Sequence, residues 1–103
     1  MDISVIMPCY NSAQTINQTL NSILEQKTKY NFEIVIIDDG SSDNTVDIVK
    51  RQMDSHPNIR LFFQKHKFQA EARNLGIAKA TGKYLMFSDA DDLYRPRFIE
   101  TMG

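Results

Sequence analysis

Three carboxylates lie within four positions near the end of this chain, directly after an apolar run. The run 84–87 has the length of one buried strand, and Asp89, Asp91 and Asp92 follow it. Carboxylates this close repel one another unless a positive charge lies among them. Hard divalent cations such as Mg²⁺ and Mn²⁺ prefer oxygen ligands. We therefore expect Asp91 and Asp89 to hold a cation that in turn holds a diphosphate. The alternative is that they are ordinary turn residues after a strand.

A second acidic group follows the most apolar run of the chain, residues 32–37. It consists of Asp38 and Asp39, and Gly40 permits a sharp turn directly after them. An ionised carboxylate only accepts hydrogen bonds, so an acid here suits a nucleobase N–H or a ribose hydroxyl. For Asp38, support of the loop is the alternative to a nucleotide contact.

The apolar runs that precede these groups alternate with helical patterns. Runs at 3–7, 32–37, 59–63 and 84–87 are continuous, which is typical of buried parallel strands. A helix is expected after each strand, and the last of these begins near Pro96. The order β-α-β-α-β-α-β-α predicts an α/β fold. We expect a Rossmann-like, mainly parallel sheet of strand order 3-2-1-4 with helices on both faces.

Polar and small residues predict where the helices begin and end. Asn11 is the expected N-cap of a first helix of about fourteen residues, in the manner of a capping box with Gln14. Asp43 or Ser42 is expected to cap the second helix. Gly82 is expected to stop the third.

In this strand order, the loops after strands one, two and four meet at one crevice. They are residues 8–11, 38–40 and 89–92. Ligands of open α/β sheets bind at such a crevice, beyond the carboxyl ends of the strands. The chain has neither G-x-G-x-x-G nor G-x-x-x-x-G-K-[ST], so an anionic ligand at this acidic site must bring a cation. A nucleoside diphosphate with Mg²⁺ or Mn²⁺ meets both conditions.

Four blocks of residues resemble family 2 inverting glycosyltransferases of the GT-A fold. They are VIMPCYN (5–11), IIDDGSSD (36–43), ARNLG (72–76) and DADD (89–92). Their order and spacing are those of the family, and the resemblance covers nearly the whole chain. It implies transfer of a sugar, with inversion, from a nucleoside-diphosphate sugar, and a UDP-sugar is the favoured donor. The acceptor, whether a glycan, a lipid or another molecule, is unassigned, and polysaccharide or cell-envelope glycan synthesis is the expected process.

The resemblance also assigns roles to residues. Asp39 matches the acid that binds uracil, Asp91 the main direct metal ligand, and Asp89 an acid near ribose and metal. For Arg73, an ion pair with an acid such as Asp39 is the alternative to a nucleotide contact. The complete set of expected substrate-binding residues is Pro8, Tyr10, Asn11, Asp38, Asp39, Arg73 and Asp89.

The chain departs from the family pattern in two respects. His66 and Phe68 stand where the family commonly has Asn and Gly, which adds bulk near the nucleotide and puts the donor preference in question. The general base is expected beyond Gly103, so no catalytic residue is assigned. We expect residues 1–103 to be the nucleotide-sugar-binding part of a larger domain, inactive and prone to self-association by itself.

Composition sets the remaining limits. A formal net charge of −1 gives no basic footprint for nucleic acid. No apolar run approaches the ~20 residues that span a bilayer. We expect a cytoplasmic protein, or one attached peripherally to the inner face of the membrane. Cys9 is the single cysteine, and a packed thiol is the alternative to a nucleophile there.

Other functions remain as alternatives. A sugar nucleotidyltransferase has this type of sheet but needs a Gly-rich basic loop after strand one. A phospho-acceptor signalling domain needs an acid pair after strand one and an aspartate after strand three, where Gln64 stands. A non-catalytic nucleotide-binding module needs only the crevice.

Overall fold

The computed structural model describes residues 2–25, 30–65 and 68–88, in which strands and helices alternate. The strands are β1 (Ile3–Cys9), β2 (Phe32–Asp38), β3 (Ile59–Phe63) and β4 (Tyr84–Phe87). The helices are α1 (Ile16–Leu24), α2 (Thr45–Ser55) and α3 (Phe68–Lys79). The helix expected near Pro96 lies outside the described residues.

The four strands form one parallel sheet of order β3-β2-β1-β4. This confirms the predicted strand order and the α/β, Rossmann-like fold. β1 lies between β2 and β4, and Cys9 at its end is paired with Asp38 at the end of β2. The loops after β1 and β2 therefore leave the sheet side by side.

Successive strand residues point to opposite faces of the sheet. The continuous apolar strands therefore place apolar side chains on both faces, and helices cover both. On one face, α1 and α2 pack over the larger apolar cluster through Ile16, Leu20, Ile23 and Val49. On the other face, Ala72 of α3 packs among Ile6, Val35 and Ile37. Gly76 brings α3 still closer, since a Cβ there would collide with Cγ2 of Ile6.

β1 is two residues longer than the sequence predicted, because Pro8 and Cys9 continue the strand. The carbonyl of Ile6 accepts a hydrogen bond from Ser88 N on the β4 side, and that of Cys9 accepts one from Asp39 N on the β2 side. Pro8, two residues after Ile6, therefore faces the β4 side, where the pairing of β4 has already ended. A proline is tolerated there because no ladder hydrogen bond requires its missing N–H.

The expected helix ends were wrong in two places. α1 is nine residues long and its N-cap is Thr15, which makes no side-chain capping hydrogen bond. Asn11 is thus not the N-cap. α3 ends at Lys79 and not at Gly82. Gly82 is needed for close approach to β1, since a Cβ there would lie 2.5 Å from the backbone nitrogen of Ser4.

β4 is more exposed than the expected buried strand. Tyr84 is 64% exposed, Leu85 40% and Phe87 48%, and only Met86 is buried. In the part of the chain that the structure describes, β4 pairs with β1 alone. The expected self-association stays a prediction, and this strand offers the exposed apolar side chains that it requires. No helix among the described residues is long and apolar enough to cross a membrane.

The amino end of the sheet is held together by one buried carboxylate, Glu33. Its Oε2 accepts hydrogen bonds from Ser4 Oγ at 2.6 Å and from the backbone N and Oγ1 of Thr81 at 2.8 and 2.9 Å. Its Oε1 accepts one from Arg60 Nη1 at 3.0 Å. Glu33 thus joins β1, β2, β3 and the segment before β4.

Candidate functional site

The loops after β1 and β2 are tied together by Asn11. Its backbone N–H donates to Ser41 Oγ at 2.9 Å, and its Oδ1 accepts from the backbone N–H of Ser42 at 2.8 Å. Asn11 has φ 49°, and asparagine is one of the few side chains that tolerate this left-handed conformation. The residue expected to cap α1 therefore fixes the rim of the crevice instead.

Asp38, the last residue of β2, holds the loop after β2 through Ser41. It is 3% exposed, and its Oδ2 accepts from the backbone N–H of Ser41 at 3.0 Å. Its Oδ1 accepts from Ser41 Oγ at 2.5 Å and from the thiol of Cys9 at 3.6 Å. Of the two roles left open for Asp38, these contacts favour support of the loop. Its contact with a nucleotide stays a prediction.

Cys9 has the environment of a packed thiol. Burial, followed by the neighbouring carboxylate of Asp38, raises the pKa of Cys9 far above its usual range. The thiolate is the nucleophilic form of cysteine, so a thiol that stays protonated at neutral pH is a poor nucleophile. The structure therefore favours the packing role of Cys9.

Asp43 connects the same loops to the helices. Its Oδ1 accepts from the backbone N–H of Thr45 at 3.0 Å and from the Thr45 hydroxyl, and its Oδ2 accepts from the backbone N–H of Ala13 at 3.2 Å. The hydroxyl of Thr45 is the main cause of the lowered pKa of Asp43. The N-cap of α2 is Asn44 by backbone conformation, but the expected hydrogen bond to the first turn comes from Asp43.

Asp39 follows the last residue of β2 at the carboxyl end of the sheet. It is 5% exposed, and its backbone N–H donates to the carbonyl of Cys9 at 2.9 Å. Its Oδ1 accepts from Gln64 Nε2 at 2.8 Å. A buried carboxylate with fixed donors is a strong acceptor for a ligand N–H. Asp39 thus lies at the carboxyl end of the sheet, and its contact with a nucleobase stays a prediction.

Gln64 was missed as a site residue. It follows β3, and its backbone N–H donates to the carbonyl of Asp38 at 2.9 Å. The sequence did carry a signal, because in the order 3-2-1-4 the residue after strand three lies beside the acid after strand two. An amide at that position is a suitable donor to the acid.

Arg73 and Tyr10 stand at the same edge of the sheet. Arg73 is exposed on the first half of α3, and its guanidinium carbon lies 5.9 Å from the ring centroid of Phe87, at the end of β4. Among the described residues Arg73 has no ion pair, so the alternative of an internal pair with Asp39 is not observed. Tyr10 follows β1 and is 46% exposed. Pro8 is buried within β1, and its expected contact with the nucleotide stays a prediction.

The expected metal ligands lie outside the described residues. Asp89, Asp91 and Asp92 follow Ser88, the last described residue, and His66 falls in the gap before α3. Within residues 2–25, 30–65 and 68–88, no group of three His, Cys, Asp or Glu side chains is arranged to hold a metal ion.

The family model "Glycosyl transferase family 2" matches residues 4–102. The chain belongs to glycosyltransferase family 2. It is 43% identical over 100 residues to YibD of Escherichia coli K12, an uncharacterized glycosyltransferase, covering 97% of this chain and 29% of YibD. It is 37% identical over 91 residues to the poly-beta-1,6-N-acetyl-D-glucosamine synthase of Staphylococcus aureus, covering 88% of the chain and 22% of that enzyme.

Two solved structures have the same fold. TarS of Staphylococcus aureus in complex with UDP-GlcNAc matches with a TM-score of 0.90 and 31% identity, over 99% of this chain and 30% of TarS. The mannosyltransferase PcManGT of Pyrobaculum calidifontis, in complex with GDP-Man and Mn²⁺, matches with a TM-score of 0.84 and 34% identity. That match covers 92% of this chain and 29% of PcManGT. The chain thus spans about a third or less of these relatives.

Proposed function

We propose that this chain is the nucleotide-sugar-binding part of a glycosyltransferase that transfers a sugar from a UDP-sugar, with inversion. The observation that carries the proposal is the placement of Asp39. This buried acid lies at the carboxyl end of β2, beside the ends of β1 and β3, with its backbone and one carboxylate oxygen already fixed. UDP-GlcNAc in TarS and GDP-Man in PcManGT support a nucleotide sugar as the ligand.

In the proposed complex, Asp39 accepts the N3–H of uracil. A carboxylate is suited to this contact because it accepts only, and an N–H donor opposite it completes a charge-assisted hydrogen bond. Tyr10 lines the crevice beside it, and Arg73 is placed to approach the phosphates from α3. Hydrogen bonds between Asn11 and the residues Ser41 and Ser42 join the loops after β1 and β2 beside this site.

A divalent cation completes the proposed donor site. Asp91 and Asp89 supply the hard oxygen ligands that Mn²⁺ or Mg²⁺ prefers, and the ion when bound neutralises the charge of the leaving diphosphate. The Mn²⁺ in PcManGT supports this part of the proposal. The described residues offer no competing cluster, since the carboxylates of Asp38 and Asp43 are engaged in the loops. The poly-N-acetylglucosamine synthase among the relatives supports a glycan as the product.

Calorimetric titration with UDP, GDP and CDP tests nucleotide binding. We expect UDP to bind most tightly, and Asp39→Asn to weaken it by roughly tenfold or more, because a neutral amide oxygen accepts a hydrogen bond more weakly than a carboxylate and the amide NH2 is a donor. Asp47→Asn, an exposed aspartate of α2, is the matched control and should change nothing. Equal affinity of Asp39→Asn and the unchanged protein for UDP would overturn the proposed nucleobase contact.

The same titration with and without Mn²⁺ tests the cation. Asp91→Ala should abolish the dependence of UDP affinity on Mn²⁺, whereas the neighbouring Asp92→Ala is expected to retain most of it. If UDP binds equally well without the cation and after Asp91→Ala, the cation site is wrong. Release of UDP from a UDP-sugar by the full-length protein then separates a transferase from a module that only binds nucleotide.

A further inference from the structure

The amide of Gln64 touches the acid on which nucleobase recognition depends. Nε2 of Gln64 lies 2.8 Å from Oδ1 of Asp39 and donates to it. The two residues follow neighbouring parallel strands, β3 and β2, so the contact crosses the carboxyl edge of the sheet.

The position of Gln64 is fixed by the backbone. Its N–H donates to the carbonyl of Asp38 at 2.9 Å, which continues the β2–β3 pairing one step past Phe63. Its side chain is half-buried. Gln64 is therefore set to act on the orientation of the Asp39 carboxylate.

We propose that Gln64 is a positioning residue that sets the preference of this site for uracil over cytosine. The proposal rests on the function proposed above. Uracil presents N3–H as a donor, whereas cytosine has a lone pair at N3. A carboxylate held in one orientation accepts from the first and repels the second. A carboxylate that rotates finds the exocyclic amine of cytosine instead, so the fixed orientation is what separates the two bases.

A site that is built to hydrogen-bond a substrate N–H rejects an analogue that lacks it, because the buried polar group is then left unpaired. This penalty requires that the group cannot turn away to another partner. The backbone N–H of Asp39 donates to the carbonyl of Cys9, and Gln64 donates to Oδ1. The contact from Gln64 acts on the carboxylate itself.

Titration of UDP and CDP into Gln64→Leu tests the proposal. Leucine keeps the approximate size and removes the donor. We expect UDP affinity to fall roughly tenfold, as for a hydrogen bond to a charged group, and the ratio of UDP to CDP affinity to fall toward one. A second variant, Gln64→Asn, retains an amide on a shorter side chain and should lose part of the ratio. Circular dichroism verifies that both variants are folded.

Gln52→Leu is the matched control. Its amide donates at 2.7 Å to Asn17 and at 2.9 Å to Asn21, between α2 and α1 and away from the crevice. It removes the same donor type, so a purely structural cost appears in both variants. Gln52→Leu should leave both affinities and their ratio unchanged.

A double-mutant cycle tests whether Gln64 acts through Asp39. Gln64→Leu should have no further effect on the affinity ratio once Asp39→Asn is present. If the unchanged protein prefers UDP but Gln64→Leu retains that preference, the positioning role is overturned and the proposed function stands. If the unchanged protein binds neither nucleotide, the proposed function fails and the role of Gln64 fails with it.

Discussion

Single residues at the rim of the crevice each serve more than one element, and Asn11 is the clearest case. It combines a left-handed backbone with hydrogen bonds to Ser41 and Ser42. The sequence pattern singled out Asn11 but predicted it as the N-cap of α1, which is Thr15. A capping pattern depends on near neighbours, whereas the actual partners lie 30 and 31 positions away. Spacing along the chain does not contain that information.

A pair of variants at Asn11 separates the backbone cost from the side-chain contacts. Asn11→Gly keeps the left-handed conformation and loses the Oδ1 contacts, so we expect a loss of about 1–2 kcal/mol of unfolding free energy. Asn11→Ala loses the same contacts and should cost about 1 kcal/mol more, because alanine is strained at positive φ. Urea unfolding measures both values. Equal losses would show that the backbone conformation contributes nothing.

Helices and strands were predicted more accurately than their ends. The apolar runs located all four described strands, and β3 was predicted at Ile59–Phe63, where it is found. The ends of β1 and α3 depend on contacts between elements, as Pro8 and Gly82 demonstrate. The exposure of β4 was missed because an apolar run indicates a strand without saying what covers it. Those parts of the fold are decided by packing.

The approach of α3 to the sheet is one such contact, and it gives a prediction at the scale of the element. Gly76→Ala adds a methyl group that collides with Cγ2 of Ile6, a fully buried side chain. We expect a loss of about 1–3 kcal/mol, as for other overpacked cores, despite the better helix propensity of alanine. The midpoint of urea unfolding measures it.

Ala78→Ser is the control for that variant. Ala78 is exposed on the same helix, and surface substitutions of this kind stay within about 0.5 kcal/mol. A Gly76→Ala protein that is as stable as Ala78→Ser would mean that α3 moves away from β1 without cost. The close approach would then have no energetic importance.

Side-chain hydrogen bonds join separate strands and loops at both the carboxyl end and the amino end of the sheet. At the carboxyl end, Asn11, Asp38 and Ser41 shape a rim around the crevice. At the amino end, the hydrogen bonds that Glu33 accepts join strands that are distant in sequence. The alternation of strands and helices predicted a ligand site at the carboxyl end. It gave no indication of Glu33, which in the sequence is one polar residue within an apolar run.

Glu33 makes the stability of the molecule depend on pH in the acid range. Burial alone would raise the pKa of Glu33, but the hydrogen bonds from Ser4, Thr81 and Arg60 outweigh it and lower the pKa from 4.5 to about 2. Because the folded pKa is the lower one, the stabilisation is complete above pH 4.5 and is lost as the pH falls toward 2. This shift corresponds to about 3 kcal/mol at 1.4 kcal/mol per pKa unit.

Glu33→Gln should therefore reduce the free energy of unfolding at pH 7 and flatten its decline between about pH 4.5 and pH 2. Urea unfolding measured across that range tests this. Glu71→Gln removes an exposed carboxylate from α3 with the same change in net charge, and it should leave the decline unchanged. If both variants decline as steeply as the unchanged protein, acid unfolding is driven by overall charge repulsion and not by the loss of the contacts that join the four strands through Glu33.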